Sequence, residues 1–301
     1  MGAACCAPTW LRALILVLAL LLAGCGYYGH GIKTPELWVQ KDVPYAAGYP
    51  GDAALKLNVY SSRAAALLPV VIYVHGGGWT EGDKEQMDVW CRMIAARGYA
   101  VFDVNYRLAP EFKFPAAADD VMGAVIWVRD HAPEYNGDPD RIGISGGSAG
   151  SHLAALATTA VSDAHFRPTG HEQQSAVGII KAAVLFFGVY DFEKPGLIRL
   201  TSIPRDFLGD PKAARENYRV ASPIKYSCGG VPPTMLIVGR LDPIYSQTRR
   251  YYESLLSHGA PVELKVYPFE THGFDIWMSS PDARDAFERM MAFFDRNLKR
   301  R

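Results

Sequence analysis

The stretch RIGISGGSAGSHLAALA, Arg141 to Ala157, decides how this chain folds. Arg141–Gly146 reads as a short strand, and the alanine- and leucine-rich tail is a strong helix former. Between them the chain turns within a cluster of small residues, with Ser148 at the hinge. Gly146–Gly150 fits G-x-S-x-G, placed after a predicted strand and at the start of a predicted helix. That is the setting of a nucleophile elbow, whose strained backbone tolerates only small neighbours and leaves the serine hydroxyl clear of the sheet. The helix behind it aims its first N–H groups, Ala149 among them, at any developing negative charge. Taken alone, the same residues also fit a glycine-rich turn with a serine helix cap.

Outward from this turn, β-type runs alternate with helical stretches. The runs are 55–60, 70–75, 99–104, 141–146, 181–187, 234–239 and 262–267. Helices are predicted at about 84–97, 115–131, 149–160, 246–258 and 281–299. Several runs are apolar throughout, as in strands covered on both faces. Alternation of this kind implies parallel strands joined by helical crossovers, hence one α/β domain over residues 51–301. Residues 188–232 lack clear strands and hold many Pro, Gly and charged residues, which predicts a small helical insertion over one end of the sheet. Ligands of such sheets bind outside the carboxyl ends of the strands, so the insertion is expected to shape a pocket.

A second glycine cluster, HGGGW at His75–Trp79, directly follows the run VVIYVH. Three glycines let the backbone approach a ligand and present its N–H groups. With the elbow at the right place in the strand order, this reads as an oxyanion loop. Gly76 and Gly77 are the expected donors, together with Ala149.

HGGGW, NYRLAPEFKFPAAADDV (105–121) and GGSAGSHLAALA together resemble the α/β-hydrolase carboxylesterases related to hormone-sensitive lipase. SAGSHLA is also similar to kynurenine formamidases, prenylcysteine methylesterases and bacterial acetyl or feruloyl esterases. The resemblance spans roughly residues 52–299. It departs at Gly147, where the lipase-like branch carries Asp, and this favours the smaller formamidase and acetylesterase type. It implies an α/β-hydrolase fold with a mostly parallel sheet, no metal or organic cofactor, and a serine–histidine–acid triad in that chain order. His272 in ETHGF, after the last strand, fits the base; His258 in LSHGAP is the alternative and sits where a helix end needs a cap. Asp242 in LIVGRLDPI fits the acid, with Asp191 in FFGVYD as the competitor. Asp275 and Glu270 flank His272 but are expected to face away from its far ring nitrogen, with Glu270 at the edge of the site. Tyr106, Arg107 and Asp119 are expected to brace the oxyanion loop, and His75 to orient it. Trp79 is either a wall of the acyl pocket or a packing residue, and His152 a satisfied core histidine.

The activity so implied is hydrolysis of short-chain, small aryl or acetyl esters through an acyl-enzyme on Ser148. Amide hydrolysis on the same triad (an arylformamidase or a peptidase), acyl transfer, and a non-catalytic envelope binding protein remain as alternatives. Lys plus Arg and Asp plus Glu both number 31, so the net charge is zero and nucleic acid is a poor partner. Cys/His spacing suggests no zinc site.

The first 25 residues differ from the rest. Arg12 is the sole charge, and Ala13–Gly24 has the length of a signal h-region. The segment ends in LAGC, Leu22–Cys25, which resembles a bacterial lipobox. That implies cleavage before Cys25, lipidation of Cys25 and an envelope location, with Gly26 favouring the outer membrane; a secreted, lipid-free protein and an uncleaved N-terminal anchor are the alternatives. Residues 26–50 read as a tether leading into the domain. Cys91 and Cys228 would then be the remaining thiols, expected to be buried, with a disulfide between them left open.

Overall fold

The computed structural model describes residues 37–64 and 66–299. The signal-like segment and Cys25 lie outside the described residues. Eight strands form one sheet: β1 (Trp38–Pro44), β2 (Lys56–Ser61), β3 (Leu68–Val74), β4 (Ala100–Val104), β5 (Gly137–Gly147), β6 (Ile180–Phe186), β7 (Thr234–Gly239) and β8 (Val262–Tyr267). Their order is β1-β2-β4-β3-β5-β6-β7-β8. β2 runs antiparallel to both of its neighbours, and every other pairing apart from these is parallel. The helices are α1 (Asp88–Ala96), α2 (Ala116–His131), α3 (Ala149–Thr159), α4 (Ile203–Leu208), α5 (Arg215–Val220), α6 (Tyr245–Ser257) and α7 (Pro281–Leu298).

Side chains alternate across the sheet, so each central strand feeds two cores. Val70, Ile72 and Val74 of β3 and Ile142 and Ile144 of β5 pack with residues of α2 and α3. Val71 and Tyr73 of β3 and Val184 and Phe186 of β6 pack with residues of α1 and α7 on the other face. Gly143 of β5 permits a close approach on that second face. A Cβ there would lie 2.7 Å from the Phe294 ring and 2.8 Å from Leu298, both on α7.

One segment departs from its sequence reading. Trp38–Pro44, taken above as part of a tether, is the edge strand β1. Its register on β2 shifts between Gln40 and Val43, and Asp42 sits at φ 55°. The break spoils the two-residue alternation that marks a strand, and the outer edge leaves most of the strand in water. The insertion at 188–232 is helical as expected, holding α4, α5 and two 3₁₀ turns, Gly196–Leu200 and Pro223–Tyr226. Cys91 and Cys228 are free thiols; Cys91 is buried but Cys228 is exposed, because it lies in the loop before β7 and not in a core.

Filling the Gly143 contact should show how closely α7 must sit. Gly143→Val is expected to lower stability by about 1–3 kcal/mol through overpacking, read as a lower urea midpoint. Unchanged stability would mean that α7 shifts freely on the sheet.

Candidate active site

β3 and β5 lie side by side although β4 falls between them in the chain. After β3 the chain crosses to one side of it, and after β4 it returns to the other. The carboxyl ends of β3 and β5 therefore flank a topological switch point, where α/β sheets open a crevice. β3 delivers the HGGGW loop to this crevice and β5 delivers the elbow. Ser148 takes φ 55° and ψ −116°, a strained conformation for any residue with a side chain. Its N–H donates to the Phe186 carbonyl at 3.0 Å, and its carbonyl accepts from His152 N–H at 3.1 Å. A side chain at Gly150 would strike the carbonyl oxygens of Val74 and His75. Only glycine lets the start of α3 sit so close to the end of β3.

The turns after β7 and β8 bring Asp242 and His272 to this serine. His272 Nε2 is 2.9 Å from Ser148 Oγ, and His272 Nδ1 is 2.8 Å from Asp242 Oδ2. The second carboxylate oxygen, Oδ1, accepts the Ile244 N–H at 2.8 Å. The Asp242 side chain is fully buried and that of His272 is 13% exposed. With Nδ1–H donating to Asp242, the Nε2 lone pair faces the serine hydroxyl, the tautomer a general base needs. Burial alone would lower the His272 pKa. The Asp242 charge and hydrogen bond, with a further contribution from Asp275, outweigh burial and raise it above 6.5.

The competing candidates go elsewhere. Asp191 accepts the Lys194 N–H at 2.9 Å and pairs with Arg250 at 3.5 Å. His258 uses Nδ1–H to cap the end of α6 on the Ser254 carbonyl at 2.8 Å. Glu270 turns to Ser280, whose hydroxyl donates to it at 3.2 Å. Asp275 makes no bond to the His272 ring but lies buried behind it, its pKa pushed up to about 7 by that burial.

Gly76, Gly77 and Ala149 donate no backbone hydrogen bond among the described residues, which leaves three N–H groups beside Ser148 for a ligand. Thr80 and Glu81 N–H both donate to the Gly77 carbonyl and close the loop. Tyr106 braces it, donating from its hydroxyl to the His75 carbonyl at 3.1 Å and stacking on the His75 ring at 4.3 Å. His75 Nδ1–H in turn donates to the Gly76 carbonyl at 2.7 Å, and burial drops the His75 pKa to about 4. Arg107 and Asp119 do not take the bracing role expected of them. Arg107 grips Asp120 with its guanidinium, at 2.6 Å from Nη2, and Asp119 accepts the Arg167 N–H at 2.7 Å. Both bonds tie α2, which carries Asp119 and Asp120, to neighbouring loops; Arg107 turns to this helix while Tyr106 beside it turns to the glycine run.

An apolar cleft of about 60 Å³ opens beside Ser148 and His272, walled by Trp79, Val189, Leu197, Ile198, Ile203 and Ile244. Trp79 is both a wall and a packing residue. Its indole stacks on Phe207 at 4.5 Å, and its Nε1–H donates to His152 Nδ1 at 3.0 Å. His152 Nε2–H donates onward to the Ala221 carbonyl at 2.7 Å. The satisfied core histidine thus fixes the angle of a cleft wall. Phe187 escaped the sequence reading: it sits at φ 38° after β6 with its ring 4.8 Å from that of His272. Nothing in a run of apolar strand residues marks its last member as different. Among the described residues no group of three His, Cys, Asp or Glu side chains is placed to hold a metal ion.

The family model described as BD-FAE matches residues 57–255. "Probable carboxylic ester hydrolase LipM" of Mycobacterium tuberculosis is 35% identical over 229 residues, covering 72% of this chain and 52% of LipM. Carboxylesterase NlhH of the same organism is 30% identical over 285 residues, covering 88% of this chain and 84% of its own. The chain spans about half the length of the curated relatives LipM and LipQ, 52% and 57%. Among solved structures, the metagenomic carboxylesterase EstE1 superposes with a TM-score of 0.72 at 28% identity, over 99% of this chain and 100% of EstE1. A Pyrobaculum calidifontis esterase gives a TM-score of 0.73 at 26% identity, over 95% of this chain and 91% of its own.

The balance at His272 is open to direct titration. With Asp242→Asn the counter-charge is gone while burial stays, so the His272 pKa is expected to fall below 6.5. Asp275→Asn should lower it less. Imidazole NMR shifts against pH check both; a pKa that Asp242→Asn leaves unmoved would contradict the charge balance.

Proposed function

The chain belongs to the α/β-hydrolase carboxylesterase family, and from that premise we propose that it is a serine esterase acting on short-chain, small aryl or acetyl esters. The observation that carries the reading is the relay Asp242–His272–Ser148, at 2.8 and 2.9 Å, ending at the mouth of an apolar cleft. Ser148 Oγ attacks the ester carbonyl carbon as its proton passes to His272 Nε2. The carbonyl oxygen takes up the electron pair as an oxyanion, and the N–H groups of Gly76, Gly77 and Ala149 hold it. Asp242 stabilises the imidazolium without taking its proton. Collapse of the tetrahedral intermediate breaks the bond to the alcohol oxygen, which leaves with the proton from His272. Water, deprotonated by His272, then attacks the acyl-enzyme; Ser148 recovers its proton and the acid departs. The narrow, apolar cleft beside Ser148 suits an uncharged, small acyl group, which supports the short-chain preference.

The lipid-anchored envelope location implied by Leu22–Cys25 belongs to the same proposal. Among the described residues no helix is long and apolar enough to cross a membrane.

The first test is a series of p-nitrophenyl esters of increasing acyl length. Acetate and butyrate should turn over fastest, and Ser148→Ala should lower kcat by about 10⁶-fold. Activity equal to that of the variant on every ester, with no labelling of Ser148 by a fluorophosphonate, would remove the esterase reading. For the location, the full chain made in a diderm bacterium should partition into detergent, and Cys25→Ala should move it to the aqueous phase. A wild-type chain found in the aqueous phase would favour the lipid-free, secreted form.

A further inference from the structure

The apolar cleft beside Ser148 is narrow, and the parts of a larger ester away from the reacting carbonyl lie on surfaces next to it. The insertion carries a second, open cavity of about 610 Å³ on its outer side, within the usual range for ligand sites. The two cavities share a wall. Thr201 borders both, Ile203 faces the catalytic cleft, and Ser202 and Pro204 face the outer basin. Thr201 thus stands between the space beside Ser148 and the basin.

The basin's charge is one-sided in a chain whose net charge is zero. Arg199, Arg205 and Arg215 line it against a single carboxylate, Glu193. Arg205 is engaged by Asp210. No ion pair or side-chain hydrogen bond engages Arg199 or Arg215 among the described residues. Two exposed guanidinium groups therefore stand at the rim of a concavity without a protein partner among the described residues. A planar guanidinium matches a carboxylate in paired hydrogen bonds, stronger than bonds between neutral groups. Phe192 and Tyr218, set edge to face at 6.4 Å, add an aromatic wall, and Ser202 adds a hydroxyl.

We propose that this basin is a substrate subsite: it binds a carboxylate-bearing portion of the ester, held by Arg199 and Arg215, while the scissile carbonyl sits at Ser148. The inference rests on the esterase reading for the identity of the ligand, and it makes the preferred substrates acidic esters.

Equilibrium binding tests it without turnover. Ser148→Ala protein is titrated calorimetrically with two pairs of esters. Mono-4-nitrophenyl glutarate against 4-nitrophenyl butyrate places the carboxylate on the acyl side; 4-acetoxybenzoate against phenyl acetate places it on the alcohol side. One charged ester should bind about tenfold tighter than its neutral partner, the worth of one charge-assisted contact. Adding Arg199→Gln and Arg215→Gln should erase that margin, and raised salt should shrink it. Which pair shows the margin tells which end of the ester enters the basin. Equal affinity within both pairs, or a margin that survives the arginine substitutions, overturns the proposal. Turnover of neutral esters by the unsubstituted enzyme is measured separately. Its failure would count against the esterase reading and leave the binding comparison to decide the subsite by itself.

Discussion

The backbone at Ser148 is the constraint around which the rest is arranged. A residue held at φ 55° and ψ −116° costs on the order of 1–3 kcal/mol and persists only where its surroundings fix it. Here they do so from both sides. The Ser148 N–H is tied to the end of β6 and its carbonyl to the first turn of α3. The start of α3 is pressed against the end of β3 at Gly150, so the helix cannot relax away from the turn. The same close approach sets the HGGGW loop, which leaves β3 at that point, beside the serine. Elbow and oxyanion loop are two consequences of one contact between neighbouring strand ends.

Charge around His272 is a second arrangement with opposing parts. Burial works against the imidazolium, and Asp242 works for it through charge and a hydrogen bond. Asp275, buried behind the ring, adds to the Asp242 side. Its position also gives a physical account of Gly147, the point where the chain departs from the lipase-like motif. A Cβ at Gly147 would lie 3.7 Å from Asp275 Oδ2 and 3.3 Å from the Phe187 ring. An aspartate there would put a second carboxylate against one that burial already pushes up to about 7. Like charges at that separation in a dry site disfavour each other strongly. The glycine and Asp275 are two halves of one solution, separated by more than a hundred residues.

What was legible in the sequence was whatever short-range pattern encodes. The strand, glycine cluster and helix former at 141–157 are contiguous, and so are HGGGW and the strand before it. The triad order that the family resemblance implies favoured His272 over His258 and Asp242 over Asp191, and the geometry puts the favoured pair on Ser148. What escaped depends on partners distant in the chain. β1 is an edge strand with a bulge, so neither burial nor alternation marks it. Arg107 shares the family-like stretch with Tyr106 and so reads as a brace of the oxyanion loop, yet its partner is Asp120, thirteen positions on. Phe187 reads as one more apolar strand residue until the fold turns its ring onto His272.

The insertion at 188–232 sorts its residues between two environments. Ile198 and Ile203 turn inward to the catalytic cleft, and Phe207 stacks beneath Trp79. Arg199, Ser202 and Arg205 turn outward, in alternation with them along the chain. One short segment thus limits the apolar space at the reacting carbonyl and also presents polar groups beyond it. The two tasks separate physically. Apolar contacts near Ser148 discriminate acyl groups by volume, at about 1–3 kcal/mol per methylene. Charged donors further out act through hydrogen bonds and long-range attraction, which carry no information about acyl length. A change in the inward residues should therefore alter which acyl group fits, and a change in the outward ones which molecule carries it. The elbow, the relay and the oxyanion loop are built from other elements and need not change with either.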